Sequence, residues 1–326
     1  MRELPIVDLA QPLERAGREI DRACRNIGFV IVTGHGVDPT LIPALRDRAA
    51  EFFSLPDDTK RSIAMANGGA AWRGWFPLHG ELTSGVPDDK EGLYFGTELA
   101  RDDPRVIAGV PLHGPNLFPE RPRELRPLVL DTIAALQAVA RRVLQAMAVG
   151  LGLSADWFEA NITADPTVLF RVFRYPGNTS RLGADQWGVR EHTDYGLVTV
   201  LAHDGTPGLE VHTPDGWVAA PARTDAFIVN VGDMLEKLTA GRYRSTPHRV
   251  TNAARHDRYS FPLFFDPGWD QRVVELPLDA DGRAGRARWD GENPLAWEGT
   301  YGDYLTSRVA RVFPDLFARM TEQQQR

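Results

Sequence analysis

A chain of 326 residues is long enough to bury a substantial core without disulfides, as one large domain or two small ones. Apolar residues at 43% and charged residues at 25% are ordinary for a globular protein, and a net charge of −7 without any lysine or arginine run speaks against a nucleic-acid partner. The one cysteine, Cys24, excludes an internal disulfide framework and a cysteine-rich zinc module, and in DRACRNIGFV it reads as a small buried residue. No window approaches the roughly 18 apolar residues of a membrane span and MRELPIVDLA lacks an apolar leader, so the expectation is a soluble, cytoplasmic protein without a membrane partner.

Leu4–Leu9 reads as a short strand, and residues 13–27 as a helix with Leu13, Ile20, Ala23, Cys24 and Ile27 on one side. The β-branched run Gly28–Val32 follows, closed by the turn-rich Thr33-Gly34-His35-Gly36. A second helix is predicted over about Pro39–Phe53. Residues 66–90 are glycine-rich but carry Trp72, Trp75 and Phe76, so they read as an ordered loop rather than a linker. Trp72–Phe76 fits either a substrate wall or a separate hydrophobic cluster. The longest helix is predicted from about Arg123 to Leu151, ended by Gly150 and Gly152, and serves as scaffold.

From Thr167 to Asp266 the texture changes to short strands: VLFRVFRY, GLVTVLAH, LEVHT, GWVAAPA, AFIVNVG, HRVTN and RYSFPLFF. Short strands at regular spacing point to a sandwich or barrel. A last helix is predicted over Tyr301 to about Met320, before the glutamine-rich tip Gln323–Gln325.

In REHTDYGLVTVL, His192 and Asp194 stand two apart at the head of an apolar run, which on a strand would place both on one face. By itself this pair fits a hydrogen-bonded pair at a strand end as well as a metal site. A further histidine, His248, opens another β-branched strand, and Arg258-Tyr259-Ser260 heads the apolar RYSFPLFF. An arginine entering an apolar strand is costly unless an anion meets it, whether an aspartate of the chain or a ligand. Two imidazoles and one carboxylate can make a facial triad that leaves three adjacent metal positions open, the arrangement of non-haem Fe(II) oxygenases. A bidentate 2-oxo acid would fill two of them and O2 the third, with the planar fork of Arg258 on the distal carboxylate. The other histidines, His35, His79, His113, His203, His212 and His256, have no metal-ligand context and read as turn or surface residues. Arg190 reads as a solvated strand-end arginine, with selection of an acidic substrate at a pocket mouth as the alternative.

With these residues the chain resembles the Fe(II)/2-oxoglutarate-dependent dioxygenases, in their isopenicillin-N-synthase-like branch. LPIVDLA, ACRNIGFVIVTGHGVD and FFSLPDDTK resemble the family's N-terminal region; EHTDYGLVTVLAHDGTPGLEV, AFIVNVGDMLEKLTAGRYRSTPHRV and DRYSFPLFF resemble its catalytic core. The resemblance implies a mainly β protein with flanking helices, whose core is a double-stranded β-helix (jelly roll). It implies one oxygenase domain over residues 1–326, with a mostly helical region to about 165, the core over about 166–270, and a C-terminal extension and helix beyond. His192, Asp194 and His248 match the iron ligands, Arg258 and Ser260 the carboxylate-binding pair, and Asn230 a residue lining the site. Phe173 stands where plant members carry an asparagine that helps hold 2-oxoglutarate. Arg174-Tyr175-Pro176 instead resembles the isopenicillin N synthase form, whose tyrosine helps bind the substrate's carboxylate; Tyr175 also fits a core tyrosine.

The resemblance implies Fe(II), 2-oxoglutarate and O2, and an oxidoreductase that hydroxylates, desaturates or cyclises a small organic molecule while releasing succinate and CO2. A monomer is expected. An oxidase or cyclase without 2-oxoglutarate, a zinc hydrolase and a non-catalytic jelly-roll binding module remain as alternatives.

Overall fold

The computed structural model describes residues 3–83, 85–177, 187–252, 254–278, 290–291, 293–314 and 317–318. In chain order its strands are β1 (Ile6–Asp8), β2 (Phe29–Thr33), β3 (Gly74–Phe76), β4 (Leu82–Thr83), β5 (Val86–Pro87), β6 (Glu91–Gly96) and β7 (Thr167–Tyr175). They continue with β8 (Trp187–His192), β9 (Val198–His203), β10 (Leu209–Thr213), β11 (Gly216–Ala219), β12 (Phe227–Val231), β13 (His248–Thr251) and β14 (Arg258–Asp266). The helices are α1 (Leu13–Asn26), α2 (Leu41–Phe53), α3 (Asp57–Lys60), α4 (Pro104–Ile107), α5 (Leu125–Gly150), α6 (Trp157–Asn161), α7 (Asp233–Leu238) and α8 (Tyr301–Val312). None of the described helices is long and apolar enough to cross a membrane.

Two sheets line one cavity, as a jelly-roll core requires. The larger runs β1-β2-β12-β9-β14-β7-β6-β3 and the smaller β11-β10-β13-β8, with β4 and β5 forming a separate hairpin. The region before β7 is mainly helical, yet its strands extend the larger sheet at both edges: β2 pairs with β12, and β6 with β7. In β14 the alternation is explicit. Arg258, Ser260, Pro262, Phe264 and Asp266 line the cavity, whereas Phe261, Leu263 and Phe265 are fully buried on the outer face. That outer face packs under α5, where the Arg141 guanidinium lies 5.2 Å from the Phe265 ring. A strand covered on both sides has to be apolar almost throughout, which is why RYSFPLFF shows so little polar alternation.

The predicted helix after Tyr301 ends at Val312 as described, and Met320 with Gln323–Gln325 lies outside the described residues. Thr300 and Asp303 close a capping box at its start. Two tyrosines dock α8 to the core: Tyr301 Oη donates to Asp266 Oδ2 at 2.6 Å, and Tyr304 Oη to Asp233 Oδ2 at 3.0 Å. Asp266 Oδ1 in turn accepts from Leu197 N at 3.0 Å. Cys24 is buried in α1 as expected, and burial pushes its thiol up.

Where the β8–β9 connection meets the start of α7, two glycines touch main chain to main chain. A Cβ on Gly232 would lie 2.4 Å from Gly196 O, a backbone atom that cannot swing aside. Gly232→Ala is therefore expected to cost roughly 2 kcal/mol in urea unfolding of the metal-free protein, as overpacking does. Asp266 supports a second test. Burial, with the Asp194 charge adding to it, raises this carboxyl from its ordinary 3.8 to about 7, against the bonds from Tyr301 and Leu197. The unfolded chain gives up this proton first, so the contribution of Asp266 is full below about pH 4 and is lost as pH rises to about 7. Relative to the parent, Asp266→Asn should gain stability, by roughly 2 kcal/mol between pH 5 and pH 8 in urea unfolding.

Candidate metal centre

The pairing of β8 with β13 brings the two histidines together. His192 stands directly opposite His248 in this antiparallel ladder, and their ring centroids are 4.2 Å apart. His192 Nδ1 lies 2.8 Å from Arg190 O, and His248 Nδ1 lies 3.2 Å from Thr246 O. A carbonyl only accepts, so each Nδ1 carries the proton and each Nε2 presents its lone pair. Burial, joined at His248 by its neighbour His192, lowers both imidazoles below the usual range, although Asp194 opposes the shift. Both are thus neutral, the form that ligates.

Asp194 reaches the same point by a different route from the one expected. It does not share a strand with His192: β8 ends at His192, and Asp194 lies in the crossover before β9 opens at Val198. The apolar run was read as starting at the histidine. The chain instead leaves the smaller sheet there and enters the larger one four residues past Asp194. The carboxylate is nonetheless directed inward, with Oδ1 at 3.9 Å from His192 Nε2 and 3.8 Å from His248 Nε2. One ligand atom from each of the three residues lies within 4.8 Å of the others, so together they can hold a metal ion. Burial works against the charge on Asp194, but His248, His192 and the bonds from Asn230 and Thr199 hold its carboxyl below the usual carboxylate range.

The remaining predicted residues fall into two groups. Arg258, Ser260 and Tyr175 share the cavity with the triad. Arg258 is opposite Tyr175 in the β14–β7 ladder, and its guanidinium lies 4.8 Å from the tyrosine ring. Gly188 permits this packing, since a Cβ there would fall 2.6 Å from the Tyr175 ring. Arg258 Nε donates to Thr206 O at 3.3 Å, whereas its buried Nη1 has no hydrogen-bond partner among the described residues. A buried guanidinium N–H without an acceptor is costly, and a carboxylate in this cavity would relieve it. Asn230 lines the same cavity but on the metal side, where its Nδ2 donates to Asp194 Oδ2 at 2.6 Å. The donor set of two imidazoles, one carboxylate and a nearby guanidinium therefore suits Fe(II) together with a dicarboxylate.

The cavity measures about 510 Å³, within the usual range for small-molecule sites. Its further walls come from α8, through Leu305 and Val309, from Phe313 just past the end of that helix, and from the β4–β5 hairpin. Lys90 welds the base of that hairpin, with Nζ at 3.0 Å from Glu81 Oε2 and 2.6 Å from Asp88 Oδ2. Trp72, Trp75 and Phe76 are buried in the main hydrophobic core and do not line the cavity, so they form neither a substrate wall nor a separate cluster. Phe173 does line it, while Arg174 turns away to Glu91 and Asp257 at 2.6 Å each. Arg190 is half-buried and not part of the wall.

His203 corrects an expectation. It is buried rather than on a turn or the surface, because it ends β9 inside the larger sheet opposite Ser260, and burial with the nearby Arg258 lowers it to about 4. Thr199, Glu81 and Lys90 went unread in the sequence. Thr199 did carry a signal, a polar residue on the inward face of a buried strand; Glu81 and Lys90 fall in the stretch 66–90, read only as an ordered loop.

Comparison with known proteins agrees with this geometry. The family model described as 2OG-Fe(II) oxygenase superfamily matches residues 166–267, and the one for the non-haem dioxygenase in morphine synthesis N-terminal matches residues 4–121. A probable iron/ascorbate oxidoreductase of Dictyostelium discoideum is 41% identical, covering 96% of each chain. A 2-oxoglutarate-dependent dioxygenase of Monascus ruber is 34% identical over 90% of this chain and 92% of its own, and a homoarginine-6-hydroxylase of Glycine max 32% over 96% and 98%. Among crystal structures, a 2OG-Fe(II) oxygenase family protein of Caulobacter crescentus superposes with a TM-score of 0.79 at 27% identity, covering 95% of this chain and 99% of that one. A full-length Neurospora crassa protein in complex with alpha-KG shares the fold, with a TM-score of 0.78 at 24% identity over 94% and 95%. The chain therefore belongs to the 2OG-Fe(II) oxygenase superfamily and is an oxidoreductase of the dioxygenase class that works with iron and 2-oxoglutarate.

Proposed function

We propose that His192, Asp194 and His248 hold the iron, that Arg258, Ser260 and Tyr175 hold 2-oxoglutarate, and that the chain acts as one oxygenase domain on a small organic substrate. The observation that carries this reading is the convergence of three ligand atoms in the cavity that also holds the unpartnered Arg258 Nη1. Iron with O2 supplies the oxidising power for a C–H bond, and 2-oxoglutarate is the co-substrate that leaves as succinate and CO2.

The protein's own residues supply order. The main-chain carbonyls of Arg190 and Thr246 keep both imidazoles in the ligating tautomer. Arg258 and Ser260, two apart on β14, offer a guanidinium and a hydroxyl to a carboxylate on the same strand face. The apolar wall from α8 and Phe173 keeps bulk water from the reacting centre. The relative named as a homoarginine-6-hydroxylase acts on a small molecule, which supports a substrate of that size here.

Under anaerobic conditions, Fe(II) and 2-oxoglutarate together should give a weak visible charge-transfer band that is absent from His192→Ala and His248→Ala. Arg258→Met should raise the 2-oxoglutarate concentration for half-saturation by about 10- to 100-fold, as loss of a charge-assisted bond does, while leaving Fe(II) binding near the parent value. A screen of small organic compounds should yield succinate in step with oxidised product. Full product formation without succinate would overturn the reading.

A further inference from the structure

Thr199 on β9 and Asn230 on β12 stand directly opposite each other in the larger sheet, and each is only 4% exposed. Their side chains perform one task. Thr199 Oγ1 donates to Asp194 Oδ2 at 2.5 Å, and Asn230 Nδ2 donates to the same oxygen at 2.6 Å. The main-chain carbonyl of Asp194 is held separately by Asp233 N at 2.8 Å. Oδ1 carries neither side-chain bond and faces His192 Nε2 and His248 Nε2 at 3.9 and 3.8 Å. Two donors on one carboxylate oxygen engage its lone pairs and stop the group turning about its Cβ–Cγ bond.

We propose that Thr199 and Asn230 are positioning residues that restrict Asp194 to ligation through one oxygen, and thereby keep three adjacent metal positions open. This rests on the reading of His192, Asp194 and His248 as the iron ligands. Two imidazoles and one carboxylate oxygen leave three positions of an octahedron; a carboxylate bound through both oxygens leaves two. Chelation by a 2-oxo acid takes two positions and O2 needs another, so a turned carboxylate removes the place of one of them. Turning would also leave two buried donors, Thr199 Oγ1 and Asn230 Nδ2, without an acceptor, and that cost holds the group in place.

Thr199→Val removes the hydroxyl at nearly constant volume, Thr199→Ser keeps it, and Asn230→Ala removes the other donor. Co(II) is titrated into each metal-free protein, and 2-oxoglutarate is then titrated anaerobically at saturating Fe(II) while the charge-transfer band is followed. Co(II) affinity should fall about tenfold in Thr199→Val and in Asn230→Ala, the scale seen when residues supporting a metal ligand are removed. At saturating Fe(II), the 2-oxoglutarate half-saturation should also rise about fivefold or more with a weakened band, and Thr199→Ser should stay within about twofold of the parent.

A purely structural role would move the thermal midpoint without moving the band. Far-UV circular dichroism identifies folded variants, and should Thr199→Val not fold, Asn230→Ala decides. Unchanged Co(II) affinity and an unchanged band in the folded variants would overturn the proposal. Asp194→Ala separates the two levels: undiminished Co(II) binding there would overturn the assignment of the metal to the triad, and the clamp with it.

Discussion

A buried carboxylate gripped where the chain passes from one sheet to the other is the constraint on which this site depends. Asp194 belongs to neither sheet, yet its Oδ1 must meet two imidazoles presented by the smaller sheet. A carboxylate this little exposed is costly unless hydrogen-bond donors of the protein meet it. The larger sheet provides them through Thr199 and Asn230, while Asp233 N at the start of α7 holds the main-chain carbonyl of Asp194. The close approach of Gly196 and Gly232 follows from the same demand, since a side chain on Gly232 would push the crossover away from α7.

The grip extends outward to the C-terminal helix. Leu197 N bonds to Asp266, and Asp266 is bonded by Tyr301, so the turn that carries Asp194 is tied to α8 through one buried carboxyl. The helix that walls the cavity is thus also fastened to the loop that carries Asp194. On the opposite side, the N-terminal region reaches the site through charges. Lys60 and Arg174 both bond to Glu91, and Lys90 joins Glu81 to Asp88. Buried ion pairs of this kind contribute little net stability compared with apolar packing. Their effect here is geometric: they fix β6 and the β4–β5 hairpin against the cavity.

Much of the site was legible because its chemistry breaks the apolar pattern. His192, Asp194, His248 and Arg258 are polar residues in or beside strands that are otherwise buried, and such residues need partners. The strands themselves were readable from β-branched and aromatic runs between turns, from VLFRVFRY to RYSFPLFF. The place of Asp194 was misread because DYGLVTVL runs without a break into β9, and the crossover has no proline or polar cluster to mark it. His203 was misread for a related reason: a histidine at the end of a strand looks solvent-facing until the neighbouring strands are known.

The sequence by itself determined the residue types of the candidate site and most of the strands beside them, because breaks in an apolar strand pattern are local to the chain and the motifs they form carry the resemblance. Tertiary structure alone decided how they meet. The register that puts His192 opposite His248, and Thr199 opposite Asn230, is a relation between segments distant in sequence. So is the choice of Glu81, Lys90 and α8 over Trp72–Phe76 as cavity wall. A loop charge or an aromatic cluster reads the same in sequence whether it faces solvent, the core or a ligand, and only the packing of the two sheets and α8 separates those cases.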